Sequence, residues 1–227
     1  MFAPLSLNDP FTVFLLVVAG VMVAGYLIGR SVNKRRGQAI TAWLEPGMRA
    51  LGGAPAVQAV NRTAFRVKVM QARNPFLTVT ASVVLISRES LPTWLWEALN
   101  RRQDVLIFHL TLKQAPTMEA DVVNPASDLG RRGEAQVKDL GWSSVEAEEG
   151  YRLYHSATTP PGDVRALAAE AARKGLAPWR VAVRRNPPHI LISLPMPDIR
   201  SVPSADLMRW LTRLARTAHT DHGDNSN

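Results

Sequence analysis

The chain has 227 residues and no cysteine, which excludes a disulfide framework and thiolate chemistry of any kind. A hydrophobic share of 46% allows one membrane span plus one soluble domain with a core of its own. The 27 Lys and Arg outnumber the 19 Asp and Glu, and every basic residue lies at or beyond Arg30, so the part after the apolar N-terminus should be drawn to anionic lipid, nucleic acid or acidic protein.

Phe11 to Gly29 (FTVFLLVVAGVMVAGYLIG) runs for 19 residues without a charge. At about 1.5 Å per residue a helix of that length reaches roughly 28 Å, close to the roughly 30 Å hydrocarbon core of a bilayer. A cleaved signal peptide carries positive charge before its apolar run; here Arg30, Lys34, Arg35 and Arg36 follow it, and the segment reads as an anchor. The same four residues predict a single-pass protein of the cell membrane, with the N-terminus outside and the rest in the cytoplasm. They should also hold the chain to an anionic membrane surface, at about 1 kcal/mol each. Gly20 with Ala24, and Gly25 with Gly29, form small-xxx-small steps that let a second membrane helix approach closely.

Beyond the anchor, residues 37–45 predict a helix that Pro46-Gly47 interrupts. Thr63 to Met70 alternates apolar and polar residues as a strand with one wet face, and Leu77 to Ile86 is a second strand. Ser90 can cap a helix over Leu91 to Asn100, with Pro92 tolerated in its first turn. Asp104 to Leu112 and Met118 to Val123 read as further strands. Pro125 to Ala135, with Gly130, Gly133 and paired arginines, reads as a surface loop.

Gly150 to His155 is the next strand, and Val164 to Lys174 a helix stopped by Gly175. Trp179 to Arg185 and His189 to Leu194 are two strands joined at Asn186-Pro187-Pro188. The last helix follows Pro203, capped by Ser204. Leu207, Trp210, Leu211, Leu214 and Ala218 share its apolar side, and Arg209, Arg213 and Arg216 cluster opposite. Helices separated by strand pairs predict an α+β domain with a mixed, mostly antiparallel sheet. The expected organisation is a short outer N-terminus (1–10), the span (11–29), a basic juxtamembrane segment (30–36), the cytoplasmic domain (37–219) and a disordered tail (220–227).

Groups for catalysis are sparse. The chain has no Gly-x-Ser-x-Gly elbow, phosphate-binding glycine loop or dinucleotide fingerprint. His219 and His222 flank Asp221 in a polar tail without further ligands nearby, so no metal and no cofactor is expected. His109 sits mid-strand among apolar neighbours and reads as a core histidine, and Glu146, Glu148 and Glu149 read as a solvated turn. The weaker expectation is therefore an enzyme, which a deep pocket pairing His109 or His155 with carboxylates would require. Arg101-Arg102, Arg131-Arg132 and Arg184-Arg185 recur at element junctions. With the last helix's arginines they suggest contact with a ribosome or another anionic partner. Trp94 and Trp96 lie about 200° apart on their helix, so at least one should meet a partner or lipid headgroups.

Three stretches resemble the calumin family, the coiled-coil-domain subunit of the PAT complex in the multipass translocon. They are QAITAWLEPGMRALGG (38–53, with Trp43), LISRESLPTWLWEALNRRQDVLIFHLTL (85–112), and WRVAVRRNPPHILISLPMP (179–197) followed by ADLMRWLTRLARTA (205–218). The likeness lies in element order and apolar pattern. It implies a non-enzymatic accessory factor beside the protein-conducting channel, pairing with a small membrane-protein partner and contacting the ribosome. Such a factor would assist multipass proteins whose polar helices are costly to leave in lipid. The family's acidic segment before the anchor and its coiled coil after the domain have no counterpart here, so calcium binding and ribosome contact through a C-terminal tail are not implied.

Overall fold

The structure, a computed structural model, describes residues 9–146, 150–156 and 162–219. The expected tail, most of the expected outer N-terminus, Glu148, Glu149, Asp221 and His222 lie outside the described residues. The chain divides into two compact units: residues 1–39 with 85–103, and residues 40–84 with 104–227.

The first unit is built on α1 (Pro10–Ala50), which supplies its residues up to Ala39. Asp9 starts this helix: its carboxylate accepts from the Thr12 amide at 3.0 Å, and Pro10 takes the first helical position. The helix is long and apolar enough to cross a membrane. Phe11, Phe14, Leu16, Val17, Leu27 and Ile28 are each more than half exposed. The other piece is the excursion 85–103, which carries α2 (Leu91–Leu99). Ser90 caps α2 as expected, accepting from the Thr93 amide. The excursion thus groups with the apolar helix.

The second unit is the α+β domain. Among the described residues its sheet has nine strands, all paired antiparallel: β1 (Ala56–Ala59), β2 (Ala64–Met70), β3 (Phe76–Val84), β4 (Val105–Leu112), β5 (Ala120–Val123), β6 (Ser143–Glu146), β7 (Arg152–His155), β8 (Arg180–Val183) and β9 (Ile190–Pro195). Their order is β1-β2-β3-β4-β9-β8-β5-β7-β6. Period-two alternation fixes the register. Val67, Ala81, Phe108 and Ile192 stand side by side across four strands, and Val69, Val79, Leu110 and Ile190 form the next buried row.

Three helices accompany the sheet: α3 (Asp128–Lys138), α4 (Gly162–Arg173) and α5 (Ser204–Thr217). The last turns of α1 also belong here, with Ile40, Leu44 and Met48 fully buried and the Trp43 indole donating to the Val202 carbonyl at 2.8 Å. Leu207, Trp210, Leu211, Leu214 and Ala218 of the α5 segment are buried, as their shared side predicts, and the Trp210 indole donates to the Leu167 carbonyl of α4 at 3.0 Å.

Five expectations are corrected. Pro46 does not end the helix. α1 continues to Ala50 because Leu44 and Met48 bury on both sides of the proline, which outweighs its cost of about 3 kcal/mol. The expected loop over Pro125 to Ala135 is mostly α3, capped by Ser127. Its glycines serve close approach: a Cβ on Gly130 would stand 1.9 Å from the Asn124 carbonyl oxygen, and one on Gly133 2.7 Å from Arg180. Ser204 lies inside α5 and is buried, while Pro203 occupies the cap position without a side-chain bond. His109 lies on the half-buried face of β4, opposite Leu106, Phe108 and Leu110, and Glu146 ends an edge strand.

Candidate functional site

The arginine face of α5 opens into a cleft of about 670 Å³. The floor is apolar, from Ala50 and Leu51 at the end of α1 and from Met208. Lys174, Arg209, Arg213 and Arg216 line it, with Asp206 among the described lining residues. Helical spacing puts the three arginines together, since residues three, four and seven apart share a face. Lys174 joins them from the end of α4 because α4 packs on α5.

Glu170 organises the cleft's cations. Its Oε1 accepts from Lys174 Nζ at 2.6 Å and from Arg213 Nη2 at 2.7 Å. The Arg213 and Lys174 hydrogen bonds pull its carboxyl down to about 2. Arg209 pairs with Asp206 one turn earlier. Among the described residues the four cations outnumber the two carboxylates beside them, Glu170 and Asp206, above an apolar floor. That combination suits a polyanion with a flat or apolar component better than a small free anion.

The remaining arginines separate into inward and outward groups. Arg184 turns inward: its Nη2 donates to Asp121 Oδ2 at 2.7 Å, and its guanidinium stacks 4.7 Å above the Trp142 ring. Asp121 is fully buried and also takes a fork from Arg180, at 3.0 Å from Nε to Oδ1 and 2.6 Å from Nη2 to Oδ2. Arg184 therefore acts as a structural clamp on Asp121. Glu134 anchors a second such cluster, its Oε1 accepting from the Tyr154 hydroxyl at 2.8 Å and from Arg152 at 2.7 Å. Arg185 remains exposed, with Nη2 donating to the Thr117 carbonyl at 3.2 Å.

Arg101 and Arg102 are exposed after α2. Arg101 takes the left-handed conformation (φ 50°), and its amide donates to Ala98 O while the Arg102 amide donates to Glu97 O, a Schellman closure. Trp94 and Trp96 are both exposed. Arg30, Lys34, Arg35 and Arg36 are all exposed along α1. Of the small residues, Gly20 stays open, with nothing near a Cβ built on it, and Ala24 is exposed. Gly25 and Gly29 carry a close approach, but of the chain's own segment: Leu91 covers Gly25 and the Arg88 carbonyl covers Gly29.

Sequence reasoning missed Lys174 and Glu170 as cleft residues, since only the packing of α4 on α5 brings them there. It also missed Asp121, whose isolation in an apolar strand was a legible sign of a buried charge partner. Among the described residues no group of three His, Asp or Glu side chains is placed to hold a metal ion. His155 and His189 are buried, and His189 Nδ1 accepts the Leu112 amide at 2.9 Å. No family model matches the chain, and no curated protein matches it.

Proposed function

We propose that this protein is a membrane-anchored, non-enzymatic accessory factor that acts by binding, assisting insertion or folding of multipass membrane proteins near the translocon and the ribosome. The observation that carries this reading is the cleft of Lys174, Arg209, Arg213 and Arg216, on a chain that also bears a helix of membrane-spanning length. Ribosomal RNA is the partner whose phosphates and bases answer that mixture of charge and apolar floor. The resemblance to the calumin family supports the same reading. In it α1 spans the cell membrane with its N-terminus outside, and the basic domain faces the cytoplasm beside translocon or insertase components.

The test is co-sedimentation of the full chain, in detergent, with ribosomes across a salt series. Binding at moderate salt is expected. The Arg209→Glu/Arg213→Glu/Arg216→Glu variant should weaken it and flatten its log–log salt slope by about 0.7 to 0.9 for each phosphate that is no longer neutralised. Failure to recover ribosomes or translocon or insertase components at any salt would sink the proposal.

A second reading is favoured by Arg30, Lys34 and Arg35, which are exposed and outside any ion pair among the described residues. It is a tethered scaffold whose basic surface holds anionic lipid or another membrane complex. Salt-dependent binding to acidic vesicles, with no response to ribosomes, would favour it.

A further inference from the structure

The excursion 85–103 lies along α1 within its own unit. Asn33 Nδ2 donates to the Ile86 carbonyl at 3.2 Å, and Arg88 Nη1 donates to Asn33 Oδ1 at 2.8 Å. One turn toward the N-terminus, the Arg88 carbonyl fills the space over Gly29, and one turn further Leu91 fills the space over Gly25. The chain therefore descends along α1 from its polar stretch into its apolar run before α2 begins. Gly25 precedes Arg30 by five residues, so Leu91 sits about 7 Å on the apolar side of the first basic residue.

α2 itself is built for a non-aqueous setting. None of its nine residues is buried, and its two polar ones, Thr93 and Glu97, stand four apart on one side, opposite an arc of Trp94, Leu95, Leu99 and Trp96. Leu95, Trp96 and Leu99 are 56%, 65% and 73% exposed. The one charged side chain, Glu97, turns back to accept the Ser87 amide at 3.0 Å. An apolar arc of that width left uncovered by its own protein is unfavourable in water, and with a polar stripe behind it is the pattern of an interfacial helix. Tryptophan favours the membrane–water boundary, and Arg101 and Arg102 leave the helix at its end, where cations meet lipid phosphates.

We propose that α2 is a second membrane element, an in-plane helix in the headgroup–acyl boundary of the leaflet that α1 leaves at Arg30, with Trp94, Leu95, Trp96 and Leu99 in lipid. The inference rests on α1 being a membrane anchor. Its occupant is lipid because the exposed face continues the exposed apolar surface of α1, and because the depth of Leu91 falls within the roughly 5–10 Å at which interfacial helices bury. Gly25 and Gly29 then serve to seat α2 against the anchor and set that depth.

The absence of cysteine makes the test direct. The full chain is reconstituted into phosphatidylcholine–phosphatidylglycerol vesicles as single-cysteine variants Leu95→Cys, Leu99→Cys, Val17→Cys and Val60→Cys, each carrying a nitroxide. Collision with oxygen and with a water-soluble nickel chelate is then read by power saturation. Labels at 95 and 99 are expected to gain oxygen collisions and lose nickel collisions, at about 5–10 Å below the phosphates. The label at 17 should read deeper, and the label at 60 should read water. Water-like values at 95 and 99 with a lipid-like value at 17 would overturn the inference and leave the anchor standing. A water-like value at 17 would instead overturn the anchor reading. Labels at 95 and 99 shielded from both reagents would mean a protein partner covers α2, and spin–spin broadening there would mean a second copy does; either overturns the lipid assignment.

Discussion

The carbonyl oxygen of Arg88 occupies the place where a side chain on Gly29 would begin: a Cβ at Gly29 would stand 1.7 Å from it. No rotation of a side chain relieves a clash with main chain, so the segment has to leave α1 if the glycine is replaced. Gly29→Ala is expected to release residues 85–103 and to raise trypsin cleavage at Arg101 and Arg102. Gly20→Ala, which meets nothing within 4 Å, should leave cleavage unchanged. Equal digestion of both variants and the parent would count against the seat.

Asp121 lies under two guanidinium groups in the fully buried strand β5. Asp121→Asn keeps the shape and removes the charge, leaving Arg180 and Arg184 without their shared counter-ion. A loss of about 3–5 kcal/mol is expected in denaturant unfolding, the usual cost of breaking a buried ion pair from one side. A loss below about 1 kcal/mol would show that water reaches the cluster.

Leu44 and Leu27 occupy one helix in opposite settings, the first fully buried and the second 58% exposed. Leu44→Ala should cost about 2–5 kcal/mol of domain stability, whereas Leu27→Ala in detergent should change it by less than about 0.5 kcal/mol. Equal effects would mean that the last turns of α1 are not part of the domain core.

Acid should destabilise the domain in two steps. Burial, and then His219, pushes His189 below 6.5, and burial with Arg66 does the same to His109. The unfolded chain takes up those protons first, so this stability is present above pH 6.5 and declines as pH falls below it. Glu134, held at about 2 by the Tyr154 hydroxyl and Arg152, and Glu170, held at about 2 by Arg213 and Lys174, act lower. Their contribution is complete above the ordinary carboxyl value of 4.5 and is lost as pH falls toward 2. Unfolding midpoints from about pH 8 to about pH 3 check both steps, and His189→Asn should shrink the first. A midpoint that stays level from about pH 7 to about pH 5 would contradict the histidine assignment.

Period and punctuation made most elements legible. The alternation of Phe65, Val67 and Val69 and the apolar side of the last helix appear in the structure as read, because each pattern buries one face whatever else the chain does. The misreadings share a cause. Local propensity makes Gly130, Gly133 and Pro46 breakers, while packing decides their conformation. The glycines admit Asn124 and Arg180, and the proline lies between Leu44 and Met48, which the core holds in one helix.

The candidate site divides in the same way. By itself the sequence determined that a 19-residue uncharged run precedes every basic residue, and that Arg209, Arg213 and Arg216 share a helix face, since composition and a 3.6-residue period need no partner. Only the tertiary structure decided that Lys174 and Glu170 complete that face, that Arg184 turns inward to Asp121, and that Gly25 and Gly29 receive the chain's own excursion. Those outcomes depend on contacts between residues as many as 66 positions apart, such as Leu91 and Gly25, whose register is set by the packing of whole elements and by no local pattern.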